Sequence, residues 1–214
     1  EYPDDTGLEV TMPVVTDRVD VAFIADDDEL DVTDDERDRG VLAPYTAFNE
    51  ALPPIQDTSL PALVANVVRI VEVEGPMLGH RLHDAYRIAY GGQRVGKEIA
   101  RQLNRAIQTA VRRSLIVADN PLNQPGVKPQ TFRLPTQPEL VRRELGPRTL
   151  SLVPPAERAA HLAEFAEFGD YSEDEMFREV LAVLGLKRLT EPARAVLSEA
   201  LVLVPITNRV ELEG

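Results

Sequence analysis

The chain has no cysteine. Disulfides and thiolate metal sites are therefore excluded, and a reducing compartment, the cytoplasm, is the expected location. No apolar run approaches the ~18 residues of a membrane span, and no basic-then-apolar signal follows Glu1. No membrane partner is expected. Glu1 rather than Met stands first, so a piece of a longer protein is expected. Lysine is scarce, three against 20 arginines, a bias that hints at a GC-rich genome. No His-Glu-x-x-His, Gly-x-Ser-x-Gly or Gly-x-Gly-x-x-Gly occurs, which removes the usual footing of zinc proteases, serine hydrolases and dinucleotide enzymes. His80 and His83 have the spacing of zinc ligands on a helix, with Asp84 beside them. The only other histidine is His161, so surface or hydrogen-bonded histidines are the expectation. Asp26–Glu29 are consecutive, and consecutive residues seldom converge on one ion. No metal, cofactor or catalytic constellation is expected.

Present instead are 214 residues with 43% hydrophobic content, enough for one large domain or two small ones with a real core. The net charge of -13 argues against nucleic acid at first sight. The charge is unevenly spread. Residues 1–40 carry 15 acids and three arginines, net -12. Residues 77–113 carry eight Lys/Arg (Arg81, Arg87, Arg94, Lys97, Arg101, Arg105, Arg112, Arg113) against Asp84 and Glu98, net +6. A phosphate backbone responds to local charge, and locally the middle of the chain is basic.

Residues 8–25 mix β-branched residues and alternation, which suggests two short strands or a partly ordered arm. An acidic run follows. Helical spacing begins after the caps Asp57, Thr58 and Ser59, with Leu60, Leu63, Val64, Val67, Ile70 and Val71 on one face, and stops at Gly75–Pro76. A second helix is expected from about Leu78 to Tyr90, closed by Gly91–Gly92. A third is expected from about Val95 to Arg113. Strands at 115–118 and 131–134 flank an Asn/Pro/Gly-rich loop. Three helices and then a hairpin is the order of a winged helix-turn-helix. After a Pro-rich linker, helices are expected at about 155–168, 172–184 and 190–204, with a last strand in "NRVELEG".

The chain matches itself at an offset of 94. Gly75 falls on Gly169, Gly91 on Gly185, Arg94 on Arg188, Leu103 on Leu197 and Ala106 on Ala200. The apolar faces superimpose as well, which favours two related helix-turn-helix units. The first is basic. The second, 155–204, has 10 acids against five Lys/Arg, net -5.

The stretch "GGQRVGKE" fits G-x-x-x-x-G-K at Gly91, Gly96 and Lys97. A phosphate loop would need a strand before it and a hydroxyl after the lysine. Here Glu98 takes the hydroxyl position and the preceding segment has helical spacing, so helix, turn and helix is the better reading. On the third helix Ile99, Leu103, Ala106, Ile107 and Ala110 form one stripe. Lys97, Arg101, Asn104, Arg105, Gln108 and Arg112 lie opposite. Arg can grip guanine, Asn and Gln can grip adenine, and the rest can hold phosphates. Lys128, in the 119–130 loop, would lie near phosphate. Arg94, shared by both copies, is expected to hydrogen-bond helix-end carbonyls and is counted with the DNA-facing group.

The segment "IVEVEGPMLGHRLHDAYRIAYGGQRVGKEIARQLNRAI" resembles the C-terminal domain of unknown function in large bacterial superfamily 1 DNA helicase-related proteins. The matching positions are Glu74, Gly75, Pro76, Gly92, Arg94 and Gly96. The segment "LVPPAERAAHLAEFAEFGDYSEDEMFREVLAVLGLKRL" resembles that family's second half. The resemblance covers about residues 43–204 and leaves the acidic arm outside. It implies the tail of a helicase-like protein whose motor lies elsewhere, and it carries over no catalytic residues.

The expected fold is therefore mainly α (α+β). It has an acidic arm at 1–42, a basic winged-helix unit at 43–135 with a small β-hairpin wing, a linker at 136–154 and an acidic unit at 155–214. The expected function is non-catalytic binding of duplex or forked DNA for a helicase. The rival is a docking or dimerisation module for a protein partner or a second copy, with the acidic arm masking the basic face.

Overall fold

The computed structural model describes residues 42–168 and 171–205. The expected strands at 8–25, the acidic arm before residue 42 and the closing strand lie outside the described residues. Among the described residues the chain is mainly helical, with six α-helices and one small antiparallel sheet.

Helix α1, Leu60–Glu74, begins after the extended Ser59, with Pro61 in its first turn, where a missing N–H leaves no helical bond unmade. It buries Leu63, Val64, Val67, Ile70 and Val71, the three-and-four spacing of one face. The helix ends at Gly75. A Cβ there would lie 2.4 Å from the Gln137 Oε1 and 2.5 Å from the Val71 carbonyl, so only glycine fits. Strand β1, Met77–Leu78, leads directly into α2, Gly79–Ala89, and α3 spans Lys97–Arg112. Strands β2, Val117–Asp119, and β3, Thr131–Arg133, complete the sheet in the order β1-β3-β2. Phe132 pairs with Met77 on one side and Ala118 on the other. Its ring joins Leu82, Tyr86, Leu103 and Ile107 in the first core.

The first strand of the hairpin starts two residues later than the expected 115–118. Ser114 takes a φ of 55°, and the Leu115 N–H closes α3 on the Ala110 carbonyl at 3.0 Å. Helix termination consumes these residues and leaves Leu115 exposed. The two-residue β1 is too short to show any periodicity in sequence.

A second apolar core is built from α4 (Pro155–Phe168), α5 (Glu173–Val183) and α6 (Glu191–Leu201). Helix α5 opens on a capping box between Ser172 and Glu175. Helix α6 opens on Thr190, whose hydroxyl accepts from the Ala193 N–H. The helix bounds reproduce the sequence offset. Adding 94 to 79–89 gives 173–183, and adding 94 to the start of α3 gives 191. Gly91 and Gly185 both cap their helices at φ +73°, the left-handed region that favours glycine. For the first helices the offset is 95. The buried set Leu63, Val64, Asn66, Val67, Ile70, Val71 falls on Arg158, Ala159, His161, Leu162, Phe165, Ala166, all buried too. No strand follows α6 among the described residues.

Residues 136–154, expected as a linker, are built into the structure. Ala43 and Arg143 form a parallel bridge. Arg143 donates from Nη1 to the Glu74 carbonyl at 2.8 Å and from Nη2 to the Pro76 carbonyl, which ties this segment to the end of α1. Arg148 grips Glu157 of α4 with two bonds of 2.8 and 3.0 Å. Both guanidinium groups stack on Tyr45, at 4.9 and 4.3 Å from its ring centre. The Glu74 carboxylate is fully buried. It accepts from the Tyr45 hydroxyl (2.5 Å), the Phe48 N–H (2.8 Å) and twice from Arg81 (2.7 Å each). Burial and the neighbouring carboxylate push the Tyr45 hydroxyl up to about 12. The Glu74-Gly75-Pro76 stretch is thus where the two halves are tied together.

Candidate nucleic-acid interface

Helix α3 packs its Leu103, Ala106, Ile107 and Ala110 stripe into the first core, with Thr109 beside it. The stripe behaves as the spacing predicts. The opposite arc carries Lys97, Arg101, Arg105, Gln108 and Arg112, all exposed. At about 100° per residue these five fall within one quarter of the helix circumference, roughly four turns long. Glu98 at the edge of the arc is its one carboxylate. Arg101 donates to Glu98 at 2.9 Å, and this bond holds the Glu98 carboxyl below its ordinary range. Lys97, Arg105 and Gln108 have no side-chain partner among the described residues. Arg112 donates only to the Thr109 hydroxyl, at 2.9 Å. Apart from Arg101, which pairs with Glu98, the cations of the arc have no carboxylate partner among the described residues.

A cleft of about 400 Å³ runs beside the arc, between Thr58, Leu60 and Leu63 on one wall and Glu98, Arg101, Gln102 and Arg105 on the other. Its first wall comes from the start of α1. Sequence spacing could not reveal it, because about 40 residues separate the two walls.

Asn104 sits apart from the other candidates. It is half-buried, and its Oδ1 lies 2.8 Å from His83 Nε2 on α2. An amide oxygen there calls for the proton on Nε2. Burial pushes the His83 imidazole down to about 4 in spite of this bond, so it is neutral at pH 7. His83 is therefore an interior histidine that braces α2 against α3. Its periodic position beside Leu82 carried that signal.

Arg94 corrects an expectation. It is exposed, and among the described residues it makes no bond to helix-end carbonyls. Arg87 does that work, donating from Nη1 to the Gly92 carbonyl at 3.0 Å. Arg94 lies three residues beyond the Gly91 cap, in the turn before α3. The Gly91–Glu98 stretch is the cap of α2, a turn and the first turn of α3, and a helix rather than a strand precedes it.

Lys128 is exposed in the loop between β2 and β3. That loop folds back on α2. The Gly79 and His80 N–H groups donate to the Gln130 and Lys128 carbonyls at 2.8 and 2.9 Å, and a Cβ on Gly79 would lie 2.2 Å from the Val127 carbonyl. Lys128 is thus held beside the start of α2.

In the second half the positions equivalent to Lys97, Arg101, Arg105 and Gln108 are Glu191, Ala195, Glu199 and Val202, all exposed. The cationic arc does not recur. Among the described residues no group of three or more His, Asp or Glu could hold a metal ion, and no helix is long and apolar enough to cross a membrane. No family model, curated protein or solved structure matches the chain.

Proposed function

We propose that this chain is a non-catalytic DNA-binding module of a helicase-related protein, built from tandem winged-helix units, with α3 lying in a groove of duplex or forked DNA. The observation that carries the reading is the exposed arc Lys97, Arg101, Arg105, Gln108 and Arg112, backed by an apolar stripe that fixes it. The order α1-β1-α2-α3-β2-β3, with the sheet order β1-β3-β2, agrees with a winged-helix connectivity. In such units the second helix of the turn presents side chains to base edges, and loop cations hold phosphates. Lys128 and Arg94 are the loop cations here. The arc holds no aromatic side chain. Readers of single strands rely on aromatic stacking platforms, so duplex is the favoured substrate. The helicase motor domain of the same parent protein is the proposed partner, and the cytoplasm is the proposed location.

A second reading, protein docking, belongs to the second half. Glu191, Ala195 and Glu199 on α6, with Val202 at its end, give an acidic and apolar face that suits a protein partner or a second copy.

The charge reversal R101E with R105E tests the main reading. Both residues are exposed and outside the core, so the fold should survive, with unchanged circular dichroism and melting. Duplex affinity should fall at least about tenfold. Unchanged affinity would remove α3 from the interface.

A further inference from the structure

The loop after β2 touches both halves of the molecule. The Asn120 side chain clamps the Gln124 backbone through two bonds, of 2.8 and 3.1 Å. The Gln124 Nε2 in turn donates to Glu199 Oε1 on α6 at 2.5 Å. Beneath this contact lies a cavity of about 350 Å³ lined by His80, Lys128, Ser151, Arg158 and Glu199, among others.

Arg158 is the unexpected member. Its side chain is only 4% exposed. At the repeat offset it occupies the place of Leu63, an ordinary core position. A position that takes leucine in the first half takes a guanidinium in the second. The charge is poorly offset. The Nη1 donates to the Val196 carbonyl, and the nearest carboxylate, Glu199, stands 3.9 Å from Nη2 and is half exposed. The Nε is buried and has no acceptor among the described residues. Burial lowers this guanidinium to about 10. Removing a cation from water without full pairing is expensive. Lys128 and His80 line the same cavity, and neither side chain has a partner among the described residues.

We infer that this cavity is a binding site for one tetrahedral oxyanion, a phosphate group, held by Arg158, Lys128 and His80 with the Ser151 hydroxyl at its rim. A phosphate would offset the Arg158 and Lys128 charges at once, and the His80 ring N–H would donate to it. The site shares Lys128 with the proposed DNA interface but also needs Arg158 and His80, which that reading does not use. Two sources share its chemistry: a backbone phosphate of DNA lying on α3, or free phosphate.

Titration calorimetry of the full chain with inorganic phosphate at low salt tests the site. Wild type should bind phosphate saturably, one per chain. K128Q should weaken binding by about tenfold, as loss of one charged hydrogen bond implies. E199Q should tighten it, because it removes the one carboxylate facing the anion while keeping an amide for Gln124. Lys128 is exposed and Glu199 is half exposed, and a thermal melt of each variant separates loss of fold from loss of binding, which Arg158→Met at the buried position would confound. Absence of saturable phosphate binding overturns the site, and so does equal binding by wild type, K128Q and E199Q. A duplex arm separates the sources. If the phosphate is a DNA backbone group, free phosphate competes with duplex and E199Q tightens duplex binding. If it is free phosphate, phosphate does not compete with duplex, and E199Q tightens phosphate binding while duplex affinity stays the same.

Discussion

Replacing Glu74 by Gln removes one charge and keeps the shape. In the native fold this carboxylate is fully buried and accepts four hydrogen bonds, two of them from Arg81. Tyr45 and Arg81 Nε share one carboxylate oxygen, and the Phe48 N–H and Arg81 Nη2 share the other, so the single oxygen of Gln keeps only one of these two sets. It cannot face both Arg81 nitrogens with acceptors, and its NH2 group would confront a donor. Arg81, whose side chain is 5% exposed, becomes a buried guanidinium without a counter-charge. Breaking a buried pair from one side costs about 3–5 kcal/mol. For a chain of this size that is a fall in melting temperature of about 10 °C. Urea unfolding followed by circular dichroism reads the change directly. The double variant E74Q with R81M removes the stranded cation and should be more stable than E74Q alone, with a coupling of about 2 kcal/mol. A loss below about 1 kcal/mol in E74Q would refute the argument that this buried carboxylate holds Tyr45, Phe48 and Arg81 to the end of α1.

Two other predictions concern stability. His83 and His161 are buried, and burial pushes both down to about 4; Arg142 and Arg148 near His161, and Lys128 and His80 near His83, act in the same direction. Their folded values lie below the unfolded value of about 6.5, so the unfolded chain binds more protons as pH falls. Their stability is fully present above about pH 6.5 and is lost progressively down to about pH 4, at about 2 kcal/mol per histidine between pH 7 and 5. Urea unfolding of wild type and H83Q at both pH values checks this, and an equal pH loss in the two proteins would count against it. Gly91 and Gly185 share φ +73° with open space around each Cβ position. Alanine at either site should therefore cost only the left-handed backbone penalty, about 1–2 kcal/mol. Markedly unequal costs, read by thermal melting, would show that the two caps are not equivalent.

The helices were legible because each has a local cause. Pro61 sits in the first turn of α1, although the Ser59 side chain makes no cap bond; glycines at φ +73° stop α2 and α5, and an apolar stripe at three-and-four spacing runs along each first-half helix. The offset of 94 could be read for the same reason, since caps and stripes recur together. The β1 strand could not be read, because two residues carry no period. The tie between the halves was also hidden. Glu74 meets Tyr45 across 29 residues, and Arg143 meets the Glu74 carbonyl across 69. A Pro-rich stretch of polar residues looks the same in sequence whether it is a spacer or a strap. At the candidate interface, spacing correctly separated the apolar stripe from the cationic arc. It failed at Asn104, whose place at the edge of the arc lets His83 reach it, and at Arg94, whose role near the helix end belongs to Arg87.

The salt dependence of duplex binding tests the central claim most directly. Fluorescence anisotropy of a labelled duplex is measured over a series of salt concentrations, with the whole chain and with residues 1–40 removed. The arc and Lys128 offer about four or five phosphate contacts, so the logarithm of affinity should fall with the logarithm of salt at a slope of about -4. Removing residues 1–40, which carry a net charge of -12, should tighten binding at low salt. Micromolar or tighter binding with that slope is the predicted result. No binding at low salt by either form would contradict the account and turn the search toward a protein partner.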